Sequence, residues 1–356
     1  MSDGSKIEWT DATVNVINGC SVVSPGCTNC YAMKQAHRFP VRQGLTRQTK
    51  GGMVWTGEVR FHEPALEQVL RWKRPRRIFW NAHGDTFHES VPDEWIDRCF
   101  AAMALTPHHT HQVLTKRPRR AREYLRGALT GEHIYSLVNE MAGRREVNDP
   151  RVTAANPDCW PLPSVWLGTS VEDQHRANER IPILLDTPAA VRWLSAEPLL
   201  GPVDLRRINT MRWRGAEVLN SLTGTLEGMF GDYCATRLSS IDWVVAGGES
   251  GPGARPMHPD WVRSLRDQCA AAGVAFLLKQ WGAWLPGEIY TEEREGGTAG
   301  GLVRFPDGPE GQTFPGKLTH WWDETDSFNP GPISVLVGKG VAGRRLDGQY
   351  HDGYPA

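Results

Sequence analysis

Cys20, Cys27 and Cys30 stand together in NGCSVVSPGCTNCYAMKQAH with the spacing C-x6-C-x2-C, while Cys99, Cys159, Cys234 and Cys269 are scattered. Pro25 and Gly26 let the intervening loop fold back, so three sulfurs can point at one centre. Thiolates are the preferred ligands of iron–sulfur clusters and of zinc. A structural zinc site closes four positions and needs a fourth ligand, which His37, beyond Cys30, could supply as Cys3His. A four-iron cluster on three cysteines instead leaves one iron open to a further ligand, and the spacing alone does not choose. An odd number of cysteines, three of them clustered, argues against a disulfide framework and for metal or redox chemistry in a reducing compartment. Cys99 and Cys269 lie in the helix-like stretches DEWIDRCFAAMAL and DWVRSLRDQCAAAG and are expected to pack in the core.

The elements that must position the thiols alternate. Short apolar runs rich in β-branched and aromatic residues recur at 77–85, 111–117, 164–173, 191–199, 241–250 and 274–282, with helix-length stretches between most of them. With the segment before Cys20 these make about seven strands. Near-continuous apolar runs suit a parallel sheet covered on both faces. The expected architecture is α/β: a partial or full parallel β/α barrel over 1–282, with insertions at about 127–162 and 206–240, and an irregular, Gly/Pro-rich extension over 283–356 packed on it. The runner-up is a doubly wound sheet. In parallel barrels, functional residues come from the loops after the strands' carboxyl ends. Those ends carry Asn81 and Asp85, Lys116, Ser170 and Glu172, Glu197, Glu249, and Lys279, a set that predicts a lined cavity. Glu197 and Glu249 read either as substrate or cofactor acceptors or as partners of an arginine such as Arg192 or Arg255. Gly247 and Gly248 fit a tight turn close to a ligand. His83 and His88 lack the HExxH spacing of a metal helix and are expected in supporting or surface positions.

With 40 basic and 41 acidic residues, the net charge of −1 draws the whole molecule neither to nucleic acid nor to a membrane. No run of about 18 apolar residues suggests a membrane span, and MSDGSKIEWTDATVN lacks a signal-peptide core, so a soluble cytoplasmic protein is expected. Two basic stretches, Arg71–Arg77 and Lys116–Arg122, could contact the phosphates of DNA, RNA or a nucleotide. Some of the 15 tryptophans could stack on bases; the alternative is solvated helix starts and core tryptophans.

The stretches IEWTDATVNVINGCSVVSPGCTNCYA, FWNAHGDTFHESVP, VLTKRPRR, WLGTSVEDQ, RWLSAEPLLGP, WVVAGGESGPGARPMHPDWVRSLRDQC and FLLKQWG resemble, in that order, the phage Gp37/Gp68 family of three-Cys-motif proteins. More distantly, CTNCY, the strand ending at Asp85 and VLTKR resemble the spore photoproduct lyase-like branch of the radical S-adenosylmethionine enzymes; the six-residue gap departs from the three-residue gap of most of them. That resemblance implies a [4Fe-4S] cluster on Cys20, Cys27 and Cys30, S-adenosyl-L-methionine on the open iron, and a 5′-deoxyadenosyl radical abstracting hydrogen from substrate. It further implies that Asn81, Asp85, Ser170 and Glu172 bind the cofactor, that Lys116, Glu197 and Glu249 act in the reaction, and that a nucleobase or nucleic acid of a phage or mobile element is the target. A separate three-Cys-motif partner protein is also implied. The reading from a different class is a zinc-stabilised nucleic-acid-binding or accessory protein without redox chemistry.

Overall fold

The structure is a computed structural model that describes residues 2–127, 130–142, 160–210, 218–227, 233–234, 238–290, 293–294, 297–298, 302–304, 318–320 and 333–355. The apolar runs are the strands β1 (Ala12–Val14), β2 (Arg77–Trp80), β3 (Thr110–Thr115), β4 (Val165–Ser170), β5 (Val191–Ala196), β6 (Trp243–Gly247) and β7 (Ala275–Gln280). Each pairs in parallel with the next in chain order. That unbroken winding order belongs to a barrel, since a doubly wound sheet reverses direction midway. β1 and β7 do not pair with each other, so the barrel is partial.

An open barrel leaves two edges with unpaired backbone groups, which other chains could extend. Here both are covered. Ser2–Asp3 pairs antiparallel with β1. Residues near the C-terminus run along β7: Leu278 N donates to His351 O (3.0 Å) and Gly353 N to Phe276 O (2.9 Å). Tyr354 then reaches the other side of the opening, its hydroxyl 3.3 Å from Glu8 O.

The connections are helical where a buried face demands it: α1 (Tyr31–Gln35) and α2 (Glu63–Arg71) precede β2, α3 (Asp93–Ala104) precedes β3, α4 (Pro118–Leu125) and α5 (Thr130–Ala142) precede β4, α6 (Gln174–Leu185) precedes β5, and α7 (Pro259–Ala272) precedes β7. Asp173 caps α6 by accepting from Arg176 N, and Gly273, in the left-handed region at φ 69°, ends α7. Cys99 on α3 and Cys269 on α7 are buried in the layer between helices and sheet, as expected. Between β5 and β6 the connection is a small antiparallel sheet of Ile208–Asn209, Val218–Asn220, Thr225–Glu227 and Tyr233–Cys234. Of the two anticipated insertions, 143–159 and parts of 206–240 lie outside the described residues, as does much of 291–332. The extension from 283 holds a second antiparallel sheet, in which Trp284–Tyr290 pairs with Leu302–Arg304 and Ile333–Leu336. Among the described residues, no helix is long and apolar enough to cross a membrane.

Strand alternation puts every second side chain inside the barrel. At the amino end this inner face is aromatic: Phe79, Trp193 and Trp243 pack around Trp9, with ring centroids 4.7, 5.1 and 6.2 Å from it. Trp9, Trp80, Trp193, Trp243 and Trp281 are all fully buried, so these tryptophans belong to the core. Gly168 of β4 makes room for the plug, because a Cβ there would overlap the Trp193 indole. Gly168→Ala is expected to destabilise the protein by roughly 1–3 kcal/mol through overpacking. Denaturant unfolding of that variant checks this, and combining it with Trp193→Leu should recover part of the loss.

Candidate functional site

The loop after β1 crosses the carboxyl end of the sheet, where the strand-end residues are. Gly19 starts the crossing at φ 99°, and a side chain there would collide with Glu58 O. Pro25–Cys27 forms a single 3-10 turn, Cys30 N donates to Cys27 O (3.2 Å), and Cys30 caps α1. The three thiols are reduced and half-buried. Burial, with the Asp85 carboxylate nearby, pushes the Cys20 thiol up to about 12, against the pull of Arg117. Burial likewise raises Cys30, which Lys116 opposes. Cys20 feels the charge of Cys27 and Cys30, and Cys30 that of Cys27, so the three lie in one electrostatic neighbourhood. Among the described residues no three His, Cys, Asp or Glu side chains converge closely enough to hold a metal ion. The donor types nevertheless suit a soft cation, since thiolates are its preferred ligands, and binding one would have to displace the protons that burial holds on Cys20 and Cys30. His37 is exposed on the short helix Ala36–Arg38.

What holds this loop is a ring of strand-end charges. After β2, buried Asp85 accepts from Thr115 Oγ1 (2.8 Å), Phe87 N (3.0 Å), Lys116 N (3.1 Å) and Arg117 Nη1 (3.0 Å). Arg117 in turn donates to Ser21 Oγ (2.7 Å) and Glu89 Oε2 (2.8 Å), and its Nη1 lies 3.6 Å from Cys20 Sγ. Burial works against that guanidinium's charge, but Asp85 leads the neighbours that raise its pKa overall. After β4, fully buried Glu172 accepts from Ser24 Oγ (2.6 Å) and Arg180 Nη1 (3.1 Å), with Lys116 Nζ 3.6 Å away. Burial pushes its carboxyl up, yet Lys116 and Arg180 bring it below the ordinary value. Gly26 packs on the same carboxylate; a Cβ there would sit 2.5 Å from Glu172 Oε1. After β6, Glu249 accepts from Asn29 Nδ2 (3.0 Å), Arg255 N (2.8 Å) and the Arg255 guanidinium, which also reaches Pro25 O (2.9 Å).

Asn81, Asp85, Glu172 and Glu249 therefore have their polar atoms engaged inside the protein. Asn81 sits at φ 57° with its Oδ1 on Ile17 N (2.9 Å) and its Nδ2 on Thr86 Oγ1 (2.8 Å). Glu249 pairs with Arg255, one of the two arginines considered for it. Glu197 pairs with neither of them: its partner is Lys279, Nζ to Oε1 3.0 Å, and a side chain at Gly247 would press on that carboxylate. Arg192 instead donates to Asp242 and to Thr187 O. Lys116, Ser170, Ser195, Glu197 and Lys279 continue the inward parity of their strands above the tryptophan plug, beneath the thiol loop. Gly248 lies in tight backbone contact with Trp281. His88 is buried, its Nδ1 accepting from Ser90 N (3.1 Å), so its Nε2 donates to Ser21 Oγ (3.0 Å). Burial, with Arg117, lowers its pKa. Burial and Arg42 push His83 down to about 3.

The two basic stretches separate. Arg71–Arg77 precedes β2 and lies at the amino end of the sheet, whereas Lys116–Arg122 follows β3 at the carboxyl end. Most of their charges are matched: Arg71 by Glu67, Arg77 by Asp11, Arg120 by Asp93, Arg122 by Asp186. Arg117, read from the sequence as part of a solvated run, is instead a buried centre of the site. The signal for it was its place two residues after a strand's last residue, Thr115.

Residues 4–355 match the family described as "Protein of unknown function (DUF5131)", and the chain belongs to that family. Neither the curated proteins nor the solved structures include a match to it. Glu172→Ala leaves Arg180 buried without its carboxylate, and a stability loss of roughly 3–5 kcal/mol is expected. Amide exchange over 21–30 should accelerate more than in β6; unchanged exchange there would contradict the clamping role.

Proposed function

We propose that this DUF5131 protein is a radical S-adenosylmethionine-type enzyme whose [4Fe-4S] cluster is held by Cys20, Cys27 and Cys30. The observation that carries the reading is positional. Three thiols in one electrostatic neighbourhood lie on the loop after the first strand of a parallel partial barrel, at the carboxyl end that also carries Lys116, Ser170, Glu197 and Lys279. The resemblance of CTNCY and VLTKR to the spore photoproduct lyase-like enzymes supports it. Bound there, the cluster would supply the electron that splits S-adenosylmethionine into methionine and a 5′-deoxyadenosyl radical.

The chain's own residues then divide into two groups. Asp85, Glu172 and Glu249 position the thiol loop through Arg117, Ser24, Asn29 and Arg255. Glu197 accepts the ammonium of the methionine moiety, Lys279 or Lys116 takes its carboxylate, and Ser170 faces the ribose. Glu197 and Lys279, now paired with each other, would each find an opposite charge in the methionine moiety, so neither would be left alone. The barrel around them excludes water from a reactive intermediate. A nucleobase or nucleic acid as hydrogen donor, and a cytoplasmic setting beside a phage or mobile element, complete the proposal.

Anaerobic iron–sulfide reconstitution tests it. The expected product is brown, with roughly four irons per chain, and its reduced paramagnetic spectrum shifts when S-adenosylmethionine is added. Cys20→Ala, Cys27→Ala and Cys30→Ala each lose the colour, while His37→Ala keeps it. Glu197→Gln with Lys279→Ala should keep the iron and lose the spectral shift. A colourless protein holding one zinc that is released by His37→Ala overturns the reading in favour of a Cys3His structural site.

A further inference from the structure

We propose that the lobe after β1, residues 17–57, is a docking surface for single-stranded nucleic acid. This deepens the proposed function by naming its substrate class, and rests on it only for what happens to the strand after docking. Residues 12–57 contain no Asp or Glu but do contain Lys34, Arg38, Arg42, Arg47 and Lys50, so all 41 acidic residues of the chain lie elsewhere. A nearly neutral protein thus carries, beside the thiols, a stretch with five cations and no carboxylate of its own.

The lobe has a core of its own, in which Ala32, Met33 and Ala36 pack on Leu45 and Trp55 of the hairpin Thr46–Thr49/Gly52–Trp55. Its outward side chains are free of that duty. Arg38, Arg47 and Lys50 are exposed and meet no carboxylate among the described residues. Val22, Val23, Tyr31 and Phe39 are 49, 41, 44 and 40 % exposed, an unusual concentration of large apolar side chains beside the thiols. Tyr31 and Phe39 flank His83, each ring centroid 5.7 Å from the imidazole, and form one aromatic ledge. Beneath it Arg42 lies 4.4 Å from the Phe39 centroid and donates to Asn18 Oδ1, while its buried Nη1 has no partner. Cations that neutralise phosphates, next to ring faces on which bases stack, are the two components of sequence-tolerant single-strand binding. A duplex offers no free base face to such a ledge, which favours the unpaired strand. Tyr31 directly follows Cys30 and bonds Ala82 O at the end of β2, so a base stacked there stands at the barrel mouth.

Fluorescence anisotropy of the full chain with labelled oligothymidylate and oligouridylate, across a salt series, tests the surface, with the iron content of each sample measured separately. Arg38→Ala/Arg47→Ala/Lys50→Ala should weaken binding roughly tenfold or more and lower the salt slope by about 0.7 per cation removed. Phe39→Ala should weaken it roughly fivefold or more with the slope unchanged. These DNA and RNA probes differ in the 2′-hydroxyl and the thymine methyl, so an oligodeoxyuridylate control separates the two, and the ratios identify which strand is preferred. The proposal is overturned if the triple variant binds as wild type, if binding follows Lys73 and Arg74 instead, or if phosphatidylserine vesicles bind and oligonucleotides do not. A wild-type protein that takes up iron but binds no strand defeats this surface alone; one that binds the strand but takes up no iron defeats the cluster reading alone.

Discussion

The architecture of this protein depends on buried carboxylates at the strand ends being matched by cations and by the thiol loop itself. Asp85, Glu172 and Glu249 come from the second, fourth and sixth strands, and each would be costly to leave alone in the interior. Their partners are Arg117, Arg180 with Lys116, and Arg255, and the same groups reach Ser21, Ser24, Pro25 and Asn29 of the loop. A loop with little apolar content of its own is thereby held at several points. Ion pairs of this kind contribute little net stability over an apolar replacement, but they tolerate few alternative arrangements, which suits a loop that must present three sulfurs in one orientation.

Two zones follow inside the barrel. The amino end is closed by Trp9, Phe79, Trp193 and Trp243 and is simply core. The carboxyl end is charged, and its pair Glu197–Lys279 belongs to neither the plug nor the clamps. The separation has a geometric origin, because successive inward residues on one strand step from the aromatic layer to the polar one: Trp193, Ser195, Glu197 on one side of the barrel, Ala275, Leu277, Lys279 on another.

Much of this was legible in the sequence. Every strand after the first matches the apolar run that announced it, β3 starting one residue earlier, because a strand buried on both faces needs no alternation to betray it and is bounded by the polar residues of its loops. The strand-end residues were identified by the same logic, but their division into clamps and ligand-facing groups was not. Asp85 and Glu197 look alike as sequence; what distinguishes them is that donors from Thr115, Arg117 and the backbone converge on one while the other keeps a lysine and a long contact from Ser195. Those donors lie tens to hundreds of residues away. Arg117 was hidden in a basic run, and the acid-free stretch 12–57 was hidden by averaging, since a balanced whole-chain charge says nothing about how the charges are distributed.

The clamps also impose an order in time. Ribosomes make chains from the amino end, so the thiol loop emerges long before Arg255 and Glu249, which secure one side of it, and before β7, to which residues 351–353 add the last edge cover. Until then its sulfurs have no fixed geometry and no burial to hold their protons on, and they are open to oxidation or to whichever soft metal ion arrives first. On the proposed function, cluster loading would be a matter for the finished barrel, and the long sequence separation of these contacts slows its completion.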